Sequence, residues 1–327
     1  MSASGGTKAV VAALLANTGI AITKFVAWFL TGSASMLAES IHSVADAGNQ
    51  ALLLVGGRRA RREATDAHPF GYGRERYVYA FIVSIVLFSI GGLFALYEAY
   101  HKFHEISAGH GGELLESRWR YVPLIVLGVA IVMESLSFRT AIVETNKVRG
   151  DHGWVPFIRN AKAPELPVIL LEDFAALVGL IVAFVSVTLA LATHNLYFDV
   201  IGSAVIGVLL VAIAVVLAIE VKSLLVGESA SHESIRRIRA AIEGTEGVEQ
   251  LIHLKTLHIG PEELLVAAKV GVPRDATGET IARTIDAAER RLREADPMAV
   301  QVFVEPDIFR HDYTPAARPA PPEAPSH

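Results

Sequence analysis

The chain of 327 residues is 52% apolar and only 19% charged, with a mean hydropathy of +0.42. This excludes an ordinary soluble domain of that size, and a net charge of −5 gives no sign of a nucleic-acid partner. The absence of cysteine excludes disulfides and thiolate metal ligands.

A helix needs about 20 residues to cross a hydrocarbon core. Six apolar runs reach that length: residues 9–30, 34–56, 77–103, 121–143, 166–193 and 198–226. The first has no signal-peptide cleavage pattern and reads as a spanning helix. Basic residues cluster after the second run (Arg58, Arg59, Arg61, Arg62, Arg74, Arg76) and after the fourth (Lys147, Arg149, Arg159, Lys162). The turns at 31–33 and 194–197 and the Gly- and Glu-rich loop at 107–117 carry no Lys or Arg. By the positive-inside rule both termini are cytoplasmic, in a bacterial inner or plasma membrane.

From Gly227 the pattern becomes charged and turn-rich. Ile235, Ile238, Ala241 and Ile242 have helical spacing, while Leu264, Val266, Ala268, Val270 and Val272 alternate as in a half-buried strand. Thr277 is placed to cap a helix running to about Ala295 with Glu279 in its first turn, and Val300, Val302 and Val304 form a last strand. The expected architecture is an all-α six-helix transmembrane domain (1–226), then a small cytoplasmic α/β domain (227–312) of αββαβ, ferredoxin-like order. The Pro- and Ala-rich tail, 313–327, is expected to be disordered. Gly5, Gly6, Thr7 and Lys8 lack the preceding strand of a phosphate loop, so no nucleotide is expected and energy must come from a gradient.

Charges inside the apolar runs are the informative residues, because an ionisable group at the centre of a span costs about 2.5–3.5 kcal/mol or more. Glu39, His42 and Asp46 follow one another at steps of three and four, so they share one helix face, which Asn49 and Gln50 extend. In the fifth run Glu172 and Asp173 are adjacent. At a rise of about 1.5 Å per residue, Asp46 lies about 12 Å from the inner face of the core and Asp173 about 10 Å. Two helices thus bring carboxylates to one level. An imidazole with two carboxylates suits zinc, although one histidine leaves manganese, iron and cobalt open.

The stretch Ser35-Met36-Leu37-Ala38-Glu39-Ser40-Ile41-His42-Ser43-Val44-Ala45-Asp46, followed by His68-Pro69-Phe70-Gly71-Tyr72-Gly73-Arg74-Glu75, resembles the cation diffusion facilitator family of divalent-metal transporters. The resemblance covers nearly the whole chain. It implies a homodimer that exchanges a metal ion for protons by alternating access, with His42 and Asp46 as ligands and a second ligand pair from the fifth helix. That pair departs from the family pattern: Asp173 matches, but Ile169 stands where the first ligand belongs. Glu172, water or another helix could fill the corner, and Glu172 reads equally as a carboxylate paired with a basic group. The string Leu171-Glu172-Asp173-Phe174-Ala175-Ala176 resembles the branch that includes zinc transporter nine.

Accessory metal sites of the family read as lost. In the loop after the second helix only His68 remains, with Thr65 and Tyr72 at the other two places; in the cytoplasmic domain Lys269 and Phe303 replace ligands and Glu305 alone is acidic. His232, His253 and His258 read as surface histidines, and the domain is expected to dimerise without metal. The function implied is proton-coupled export of Zn2+, with no enzymatic activity and no cofactor beyond the transported ion. Partners are a second copy, the bilayer, the ion and protons. Histidine ordinarily titrates near 6.5, which suits His42 to exchange a proton for a metal. A manganese, iron or cobalt exporter, or a non-transporting metal-sensing scaffold, stays open.

Overall fold

A computed structural model describes residues 3–31, 34–108, 121–151 and 153–310, and within them the side chains of 7–29, 40, and 43 onward. The expected tail, 313–327, lies outside the described residues. Two compact units part at Glu228 and Ser229, with the short stretch His258–Glu263 grouped with the first.

The first unit is helical: α1 (Ala3–Thr31), α2 (Ala34–Arg59), α3 (Glu75–Val86), α4 (Phe94–Ser107), α5 (Val122–Arg149), the short α6 (Trp154–Asn160), α7 (Glu165–Thr193) and α8 (Tyr197–Val226). A π-helical turn, Leu87–Leu93, joins α3 to α4 in one 33-residue apolar rod. The protein is thus a multi-pass membrane protein. Among the described residues five segments are long and apolar enough to span, at Thr7–Phe29, Glu75–Ser107, Val122–Arg149, Glu165–Thr193 and Tyr197–Val226. The sixth expected span, α2, is not among them, because Ser40, Ser43, Asp46, Asn49 and Gln50 dilute its hydropathy.

Helix α1 packs on α2 and α5, α5 on α7, α7 on α8, and α8 on α3 and α4. Outer faces of α1, α5 and α8 expose Phe29, Ile125, Leu136 and Val208, as lipid-facing helices do. Inside, Ala13, Leu53, Val83, Ile169, Leu210 and Leu217 form one apolar core. Small residues let helices approach where lipid gives no hydrophobic drive. A Cβ at Gly207 of α8 would lie 2.7 Å from Leu96 Cγ and 3.0 Å from the Leu96 backbone N on α4. Ion pairs fix helix ends. Arg76 at the start of α3 forks onto Glu165 at the start of α7, with Nη2 to Oε2 at 2.8 Å. Lys102 reaches Glu98 at 3.1 Å and Asp199 at 3.2 Å, tying α4 to α8.

The second unit runs α9 (His232–Glu243), β1 (Gln250–Gly260), β2 (Glu263–Gly271), α10 (Gly278–Ala295) and β3 (Ala299–Asp307), in the expected order. Both helices carry N-caps: Ser234 N donates to Ser231 Oγ at 3.1 Å, and Thr280 N to Thr277 Oγ1 at 3.2 Å. The sheet order is β1-β2-β3, with β2 and β3 parallel and α10 as their crossover. Leu264, Val266, Ala268 and Val270 alternate into a core with Ile238, Ile242 and Leu292. The last strand departs from simple alternation. Leu264 pairs with Ala299 but Leu265 with Gln301, so Val300 is bulged out and left 47% exposed while Ala299 and Val302 are buried.

Two outcomes test this packing. Gly207→Ala should destabilise the detergent-solubilised protein by about 1–3 kcal/mol, since the Leu96 backbone has to give way. Gly128→Ala, where nothing lies within 4 Å of the added carbon, should not destabilise it; equal melting losses in the two variants would refute the close approach. The second outcome concerns Glu228, which pairs with Lys162 just beyond α8. Burial pushes its carboxyl up, but hydrogen bonds from Lys162 and Ser223 outweigh this and hold it below the usual range. The pair therefore stabilises the fold above about pH 4.3 and is lost as pH falls through the lower folded value, by less than about 1 kcal/mol for a partly exposed pair. In acid unfolding, Lys162→Met should show a shallower loss than wild type, and identical acid limbs would remove the pair's role.

Candidate metal-transport site

The helical periodicity of α2 turns Ser40, Ser43, Asn49 and Gln50 inward, all buried, with Asp46 half-buried. Glu39 and His42 belong to α2, but their side chains lie outside the described residues. On α7, Glu172 and Asp173 are 4% and 1% exposed, and Ile169, one turn earlier, is fully buried in the apolar core.

Consecutive helical residues point about 100° apart, and that divides the two α7 carboxylates between neighbours. Glu172 faces α2: Asn49 Nδ2 donates to its Oε1 and Gln50 Nε2 to its Oε2, both at 2.9 Å. Asp173 faces α5, where Ser137 Oγ donates to its Oδ2 at 2.8 Å. Both oxygens of Glu172 are therefore occupied by amides, whereas Asp173 keeps Oδ1 without a partner.

On α5, Ala130, Glu134, Ser137, Ala141 and Glu144 recur at steps of four and three as one buried face. Glu134 is 1% exposed near mid-helix. Sequence reasoning passed over it, although the rule that singles out Asp173, a charge inside an apolar run, applies to it equally. Lys24 of α1, 3% exposed, was passed over in the same way. The charges of Asp46, Glu134, Glu172 and Asp173 act on one another, and Lys24 acts on Glu134. Among the described residues, no three of His, Asp or Glu converge tightly enough to hold an ion as they stand.

Oxygen without hydrogen characterises this cluster. Among the buried side-chain atoms lacking a hydrogen-bond partner are Asn49 Oδ1, Gln50 Oε1, Glu134 Oε1 and Asp173 Oδ1. Each such acceptor costs about 1–3 kcal/mol, and more when charged. Each of the four calls for a partner or a role. Among the described residues these acceptors have no donor, and a cation is a partner that suits them.

At the accessory positions the residues contact one another. Thr65 and His68 bond through their backbones, Thr65 Oγ1 lies 3.2 Å from Tyr72 Oη, and the His68 and Tyr72 rings sit 4.6 Å apart. Lys269 lies 3.0 Å from both Glu305 Oε1 and Asp307 Oδ2. Hydrogen bonds to Asp307 and Glu305 raise the Lys269 ammonium above its usual value, and Lys269 in turn holds the Asp307 carboxyl below its own. His232 and His253 are exposed as expected. His258 is instead 1% exposed at the end of β1, with Nδ1 3.3 Å from the Gly260 carbonyl oxygen.

Comparison with known proteins meets the same picture. The sequence model of the cation efflux transmembrane domain matches residues 10–226, and that of the cation efflux protein cytoplasmic domain matches 230–307. The chain is 29% identical to the mitochondrial proton-coupled zinc antiporter SLC30A9 of Xenopus laevis over 286 residues, covering 87% of this chain and 49% of that protein. The human SLC30A9 antiporter is 28% identical over 86% of this chain and 48% of its own length. The manganese efflux system protein MneP of Bacillus subtilis is 25% identical over 90% of this chain and 95% of its own. The chain thus spans about half the length of the zinc antiporters it matches and nearly all of the bacterial manganese protein. With a helical unit carrying inward carboxylates, an α/β unit beyond it and both family models matched in order, the chain belongs to the cation efflux, or cation diffusion facilitator, family of metal transporters.

Proposed function

We propose that the protein is a proton-coupled antiporter that carries a divalent cation, zinc first, out of the cytosol. The observation that carries the reading is the surplus of buried acceptor oxygens around Asp173. Asp46 and Asp173 are the proposed carboxylate ligands, with His42 as the imidazole ligand and proton exchanger; Glu172 and Glu39 are the weaker candidates. Metal binding needs a neutral imidazole and ionised carboxylates, so loading the ion releases protons and protonation ejects it. This is the coupling that a gradient-driven exporter requires.

In this reading α2 is the sixth span. Its 26 residues extend about 39 Å, enough for a core of about 30 Å, and its polar face is turned into the bundle and away from lipid. Six spans with the basic loops inside put both termini in the cytosol of a bacterial inner or plasma membrane. Residues 1–226 transport, and residues 227–312 join two copies into a homodimer.

Manganese is the second reading, favoured by the resemblance to MneP along almost its full length. A mixed His and Asp ligand set favours zinc over it.

Purified protein in liposomes with an internal pH dye tests the proposal. Zn2+ should drive a proton flux in the opposite direction, and Asp46→Asn and Asp173→Asn should each reduce it by more than about 100-fold while eluting as folded protein. In His42→Ala, which removes both a ligand and the proton exchanger, the Zn2+-driven proton flux should be lost or strongly reduced. Full flux in either carboxamide variant would sink the shared site, and an unchanged proton response in His42→Ala would remove its coupling role.

A further inference from the structure

We propose that Glu134 of α5 is the ligand that completes the transport site, in the corner that Ile169 leaves empty, and that Glu172 positions α2 without touching the ion. The inference rests on the transport-site reading above and adds a third helix to it.

Four observations converge on Glu134. Its side chain is 1% exposed, its Oε1 has no hydrogen-bond partner, and it lies near the middle of a membrane-spanning helix, where an unused charge is costly. It stands one helical turn before Ser137, on the same face, and Ser137 Oγ holds Asp173 Oδ2 at 2.8 Å. Glu134 thus lies on the helix face whose Ser137 holds Asp173, and each of the two carboxylates keeps one buried oxygen without a hydrogen-bond partner.

Glu172 has the opposite character. Two amides saturate it, and they belong to the helix that carries His42 and Asp46. Those bonds fix the rotation of α2 against α7 and turn Asn49 Oδ1 and Gln50 Oε1 away from Glu172, leaving both oxygens unpartnered. Removing the Glu172 charge loosens a support, whereas removing that of Glu134 takes away an arm of the coordination sphere. The three carboxylates do not converge as they stand, but drawn onto an ion with the imidazole they would make a set from α2, α5 and α7 that matches the four-ligand preference of zinc.

Residues that orient ligands cost about 10–100-fold in metal affinity when changed, and this sets the scale of the test. Zn2+ binding to the full-length protein in detergent is measured by calorimetry, and Co2+ binding by its visible spectrum. Glu134→Gln is expected to weaken Zn2+ by more than about 100-fold and to change the Co2+ spectrum. Glu172→Gln is expected to weaken Zn2+ by about 100-fold or less with the Co2+ spectrum retained. Wild-type affinity and spectrum in Glu134→Gln, beside a lost affinity in Asp173→Asn, would overturn the assignment of Glu134 and leave the transport site standing. Wild-type binding in Asp173→Asn would overturn both. Should Glu134→Gln fail to fold, Glu134→Asp decides: the shorter carboxylate should shift the Co2+ spectrum, and an unshifted spectrum refutes ligation.

Discussion

The desolvation of acceptor oxygens inside an apolar bundle is the constraint on which the rest of this molecule depends. Asp173, Glu134, Glu172, Asn49 and Gln50 are all buried, and among the described residues four of their oxygens have no donor. In lipid no water makes up the difference, and the penalty falls on the fold. The bundle tolerates it because Ile169, Leu170, Ala175 and their neighbours pack tightly on either side. Ion pairs such as Arg76–Glu165 and Lys102–Asp199 also hold the helix ends in place. The stability of the scaffold is what keeps these acceptors buried.

Geometry then assigns work to neighbouring side chains that look alike in sequence. Glu172 and Asp173 are chemically similar and adjacent, yet the 100° helical step sends one to the amides of α2 and the other to Ser137 of α5. One is satisfied and structural in character, while the other retains a free acceptor. The same principle separates Glu305 from the buried cluster: in the α/β unit its charge meets Lys269 at 3.0 Å and is spent on an ion pair. Identical functional groups acquire different roles through what the backbone places opposite them.

Much of this was legible in the sequence. Apolar run lengths located the helices, the spacing of Asp46, Asn49 and Gln50 announced an inward face on α2, and the alternation of Leu264 to Val270 gave the central strand. The misses have physical causes. The bulge at Val300 shifts strand register, and no periodicity argument anticipates an inserted residue. His258 looks like a surface histidine because it follows exposed positions in β1, but the chain closes over it at the strand end. Glu134 has no ionisable neighbour three or four residues away, and its link to the carboxylates passes through Ser137 on its own face, whose bond to Asp173 belongs to another helix. Pairings between helices are invisible to a reading of one helix at a time.

If the unpartnered oxygens of α2, α5 and α7 exist to receive a cation, an ion that binds the folded state must stabilise it. The most direct measurement is the melting temperature of the detergent-solubilised wild-type protein with and without Zn2+, with Asp173→Asn and Mg2+ as controls. At 100 times the dissociation constant, one site contributes about 2.7 kcal/mol, or about 5–10 °C for a helical unit of this size. The account requires that rise in wild type with Zn2+, a much smaller one with Mg2+, and none in Asp173→Asn. A wild-type melting temperature indifferent to every transition-metal ion tried would contradict it.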